Sequence, residues 1–81
     1  MAYMEIANRI RSAAVNGDNS RATVDFIREN LQVSLKLPII HIPLGKLAFA
    51  ALCMLGEENK DDDEDVQYLI ELLESERTGT V

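Results

Sequence analysis

The twelve residues Leu44 to Leu55 constrain this chain more than any others: after Lys46 they hold no polar side chain for nine residues. Wound into a helix, such a stretch is apolar on every side, and a helix of that kind is buried rather than laid on a surface. It therefore forms the hub of a core, with the other elements packed around it. Pro43 suits the first turn of this hub helix and Gly56 its C-terminal cap. Ala48 and Ala51 offer small side chains where a neighbouring helix can approach closely.

Three further helices are expected around it. From residue 2 to 16, Tyr3, Ile6, Ala7, Ile10, Ala13 and Ala14 recur at three- and four-residue steps, which is one apolar stripe. Gly17 stands where a left-handed cap is needed, and Glu5 is spaced to pair with Arg9. Ser20 is placed to cap a second helix with its hydroxyl. That helix begins at Arg21 and carries Val24, Ile27, Leu31 and Leu35 on one face and Ala22, Phe26, Val33 and Leu37 on nearly the opposite one. A last helix, from about residue 62 to 76, has Val66, Leu69, Ile70 and Leu73 as its inward stripe. Its acidic first turn suits the helix dipole. Glu71, Glu74 and Glu76 do not, so its end should fray into Thr78-Gly79-Thr80-Val81.

Residues 31–42 carry two conflicting signals. Leu31 to Leu37 alternates apolar and polar, the signature of a half-buried strand. No Gly or Asn turn separates it from Ile39-Ile40-His41-Ile42, so a hairpin partner within the chain is not expected. The reading adopted is helix over 21–34 and an extended passage over 35–42, since residues preceding Pro38 and Pro43 are pushed out of the helical region.

A chain of 81 residues makes one domain, 1–81, and buries only roughly 60 to 65% of its unfolded surface. Such small cores are commonly supplemented by disulfides, metal or oligomerisation. The single cysteine and single histidine cannot make a disulfide or a structural zinc site, which leaves oligomerisation. Residues 37–55 approach the length of a membrane span, but Pro38, His41, Pro43 and Lys46 interrupt them and exclude a transmembrane reading. No basic-then-apolar leader precedes the first helix, so a cytoplasmic location is expected, the host cytoplasm for a phage-encoded chain.

Net charge is −6, unevenly spread: residues 1–36 hold five basic and four acidic residues, whereas residues 37–81 hold three basic and ten acidic ones. A field of that sign repels phosphate and favours basic partners. The run Asp61, Asp62, Asp63, Glu64, Asp65 fails as a calcium loop, because the sixth position is Val66 and the twelfth Leu72 where glycine and a bidentate glutamate are required. It reads as a solvated helix start or as one edge of a partner-binding surface. His41 lacks catalytic company and reads as a packed residue. Cys53 lies in the buried helix as an inert thiol. No phosphate loop, dinucleotide fingerprint or ligand spacing is present, so neither an enzyme nor a cofactor is expected. The surplus is apolar: Tyr68 and Leu72 form an i,i+4 pair off the inward stripe, and Phe26 shows the same excess.

The fold class expected is all-α: four short helices in one domain, self-associating as a homodimer through apolar faces of the second or fourth helix. The leading function is a small acidic protein–protein interaction module. One form would be a phage-type inhibitor that occupies a basic or nucleic-acid-binding surface of a host protein, for example a CRISPR or other immune nuclease. Its partner-binding residues would be Asp61, Asp62, Asp63, Glu64, Asp65, Tyr68, Leu72 and Phe26. With residues 31–37 as a strand, the order strand, helix 44–55, helix 62–76 resembles the ribbon-helix-helix repressors, which implies a dimeric DNA-binding regulator. Only Lys36 on that ribbon is basic and the inter-helix turn is rich in aspartate, so this reading ranks second. A structural dimerisation or assembly subunit is the third.

Overall fold

The structure, a computed structural model, describes residues 2–79. Four helices form: α1 over Tyr3–Asn16, α2 over Arg21–Glu29, α3 over Leu44–Met54 and α4 over Glu64–Thr78. The all-helical expectation holds, and α3 is the hub, packed against each of the other three. Ala48, Ala50, Ala51 and Leu52 on it are wholly buried. The alanines bring neighbouring backbones close, and Leu52 supplies the bulk, its burial stabilising the fold by about 1.5–3 kcal/mol. Ile10 of α1, Ile27 of α2, and Leu69 and Leu73 of α4 close the core around it. The radius of gyration, 11.4 Å, is that of one compact globule of this length, about 11.7 Å.

Helix ends follow the sequence in part. Gly17 takes a left-handed φ of 69° and its amide reaches back to α1 carbonyls. The cap of α2 differs from expectation: the Ser20 hydroxyl donates to Thr23 Oγ1 instead of capping the helix amides. Asp18 organises this turn, accepting from the Ser20 amide at 3.1 Å and the buried Thr23 hydroxyl at 2.9 Å. The Ser20 amide bond first, and the Thr23 bond next, hold the Asp18 carboxyl below its ordinary range. At the far end, α4 starts at Glu64, not 62, because Asp63 is its cap, accepting from the Asp65 and Val66 amides. It runs on through Thr78 instead of fraying after Glu76. Gly79, at φ 75°, turns the chain there, and Arg11 of α1 holds Glu76 at 2.6 Å. Thr80 and Val81 of the expected tail lie outside the described residues.

The largest correction concerns residues 30–42. The second helix ends at Glu29, not at Ser34, because Asn30 caps it with its side-chain amide on the Phe26 carbonyl at 2.9 Å. The chain then makes two turns and runs back along itself after all. Leu37 N donates to Ile42 O, Leu44 N to Leu35 O at 2.8 Å, and Gly45 N to Val33 O at 2.9 Å. Only one antiparallel bridge results, Lys36 with Pro43, and no strand forms among the described residues. The reversal is made without glycine or asparagine by Ile39 at φ 72° and His41 at φ 57°.

The physical reason lies at the start of α3. Its first amides have no partner within the helix and no capping side chain, and the carbonyls of Leu35 and Val33 satisfy two of them. Gly45 makes the approach possible, since a Cβ there would overlap the Leu31 carbonyl oxygen. The hydroxyl of Tyr3 also donates to Leu35 O at 2.8 Å, which ties α1 to the same segment. Leu35 is thus fixed by its backbone while its side chain is 64% exposed.

Candidate functional site

The acidic run and the apolar surplus, read from sequence as one partner-binding set, occupy different situations. Within the run, Asp63 and Asp65 converge on Lys46 of α3, at 3.0 and 2.9 Å. Lys46 lowers the Asp63 carboxyl below its ordinary range, helped by the Val66 and Asp65 amides and opposed by desolvation. The same contacts, that with Asp65 first, raise the Lys46 ammonium above its usual value. Asp61 accepts from the Asp63 amide at 2.9 Å. Three of the five acids are therefore spent on joining α3 to α4 and starting α4. Upstream, Glu57 and Glu58 take Arg28 of α2, the latter at 2.9 Å, and Arg28 is held charged chiefly by its bond to Glu58.

Asp62, Glu64 and Glu71 remain. Among the described residues they form no ion pair, and all three are exposed. On α4 a 100° step per residue places Tyr68 between Glu64 and Glu71 on one strip of the helix, and Tyr68 is 45% exposed. Leu72, 41% exposed, lies to the α1 side of that strip and lines a groove.

The groove is an apolar recess of about 200 Å³ between α1, α4 and the 37–40 turn. Met4 and Ala7 form one wall, Leu69, Leu72 and Leu73 the other, and Pro38 and Ile40 its end. Arg11 and Glu76 sit at its edge, already paired with each other. Ile39, between the two turn residues that line the recess, is 90% exposed. Sequence reasoning missed Met4, Leu35 and Ile39 as exposed apolar residues. Met4 lies off the α1 stripe and could have been flagged. Leu35 and Ile39 could not, because their exposure follows from the chain reversal.

Phe26 does not join this surface. It packs partly buried on the core, and Arg9 of α1 covers its ring at 4.0 Å from the centroid. Arg9 goes to that ring rather than to Glu5, so one face of the Phe26 ring is covered within the chain. His41 is exposed rather than packed. Burial raises the half-buried Cys53 thiol above its ordinary value, and Asp61 and Glu58 add to the effect, which keeps it protonated and unreactive.

A second, wider groove of about 520 Å³ runs beside Lys46, between the 31–34 segment, Phe49 and Asp61. Among the described residues no three His, Cys, Asp or Glu side chains are grouped to hold a metal ion, and no helix is long and apolar enough to cross a membrane. No protein-family model, curated protein or solved structure matches the chain.

Proposed function

We propose that this protein is a small acidic protein-interaction module that engages a basic surface of another protein through the outer strip of α4. The observation that carries the reading is Tyr68 standing exposed beside Glu64 and Glu71, acids that pair with no cation among the described residues, with Asp62 just ahead of the helix. A half-exposed aromatic ring flanked by two carboxylates suits a partner with arginines or lysines, which pair with carboxylates and stack on a ring. The particular form favoured is an inhibitor of the phage type, occupying the nucleic-acid-binding surface of a host protein such as an immune nuclease. Net charge supports it, since an acidic surface competes for the same cations as a phosphate backbone. A cytoplasmic location and a homodimer through apolar surface complete the reading.

The test uses the triple variant Asp62→Asn, Glu64→Gln, Glu71→Gln. Among the described residues these three hold no ion pair, so the variant should fold as the parent does. Against a nucleic-acid-bound nuclease of the host, the parent should release the nucleic acid, and the triple variant should associate more slowly and with weaker salt dependence. Equal association rates and equal salt dependence would refute the charge-directed reading. Binding of the parent itself to a specific duplex DNA at physiological salt would favour a regulator instead.

A further inference from the structure

The geometry points to a second copy of this chain as the occupant of the α1–α4 groove, with Ile39 of each copy seated between Met4 and Leu72 of the other. This deepens the self-association part of the proposed function and is independent of the basic partner. Two costs meet at Ile39. Its φ of 72° places a β-branched side chain in the left-handed region, where such residues are outliers. At 90% exposure, nearly the whole side chain is left against water. The turn it forms helps to close the start of α3, but glycine or asparagine could make the same turn without strain and without an exposed hydrocarbon side chain. Both are explained if the residue is held out as a projection that another molecule covers.

The recess supplies the complement. It lies on the same surface, its end is made by Pro38 and Ile40 on either side of the projection, and its walls are hydrocarbon. A projection and a matching recess side by side are what an isologous two-fold contact requires, because each copy then gives one and receives one. Charge does not oppose the contact at this place. The two charged residues at the recess, Arg11 and Glu76, neutralise each other. The acidic run lies at the other end of α4, with Leu72 roughly 10 Å along the helix from Asp65. Two copies meeting here bring together walls of hydrocarbon whose charged lining residues are paired, and a core this small commonly gains from such a partner.

The experiment is sedimentation of the full chain from low to high micromolar concentration, for the parent, Ile39→Gly and Leu72→Gln. Thermal unfolding of each variant checks the fold, and at a dilution where the parent is monomeric Ile39→Gly should unfold no earlier than the parent because glycine relieves the strained φ. The parent should be a dimer, and each variant should raise its dissociation constant at least about tenfold. A photoreactive residue at position 39, in a mixture with isotope-labelled chains, should crosslink to the Met4 or Leu72 peptide of the other copy. A parent that stays monomeric throughout would overturn self-association altogether. A parent dimer that Ile39→Gly leaves intact, or crosslinks that map elsewhere, would overturn this contact while leaving a dimer of another kind standing.

Discussion

The two ends of α4 resemble each other in sequence, each carrying acids beside apolar residues, yet the fold uses them in opposite ways. At the N-terminal end, Asp61, Asp63 and Asp65 are drawn inward onto Lys46 and onto helix amides, and the adjoining start of α3 is closed by the carbonyls of Val33 and Leu35. At the C-terminal half, Leu72 faces a recess that the chain does not fill, next to a turn that holds Ile39 outward. The first region is occupied with holding the molecule together, and the second is left over. A run of like charge is thus a poor guide to a binding surface until its internal partners are known.

The comparison is broken most directly at Gly45. Gly45→Ala would drive a methyl into the Leu31 carbonyl oxygen, a backbone atom that cannot swing aside, so a loss of about 1–3 kcal/mol is expected in denaturant unfolding. A variant as stable as the parent would mean that the 31–33 turn does not close α3. At the other region the sign should reverse. Ile39→Gly should raise monomer stability by about 1 kcal/mol, the relief of backbone strain less the entropy cost of glycine. Unfolding measured at the lowest workable concentration separates this gain from any loss of dimer.

Smaller effects sharpen the role of the acidic end. Lys46→Met should cost less than Gly45→Ala, since the Lys46 cluster is partly exposed and screened. Its signature is pH dependence. The folded Asp63 carboxyl is held below its ordinary value, so its contribution is present above the unfolded value of about 3.9 and is lost as pH falls through the folded one. Stability of the parent should therefore drop on acidification below about pH 4, and the drop should be shallower in Lys46→Met. Parallel curves would show that the helix amides alone set the Asp63 carboxyl. The smallest change is expected for the Asp62, Glu64 and Glu71 triple, within about 0.5 kcal/mol of the parent, because among the described residues these acids form no ion pair, and relief of their mutual repulsion offsets the helix-dipole contribution of Glu64. A larger loss by the same unfolding measurement would move them from the unused region into the structural one.

The helices and the hub were legible from local pattern. Apolar spacing marked α1 and α4, the uninterrupted run marked α3 as buried, and Gly17 marked its turn, because each of these depends on residues within a few positions of one another. The exposed pair Tyr68 and Leu72 was legible for the same reason, being off the one stripe that α4 can bury. Other features belonged to the tertiary structure. The course of residues 30–42 was settled by the unpaired amides of α3, which are met by carbonyls ten or so positions earlier, and by the side chain of Asn30. The alternating pattern of 31–37 is compatible with that course but does not demand it. Phe26 was partly covered by Arg9, a residue of another helix, and the acids of 61–65 were divided into bound and free by where Lys46 came to rest. Charge and hydropathy state what each residue can do. Which of them is left free to act depends on contacts between distant parts of the chain, and those exist only once the helices have packed.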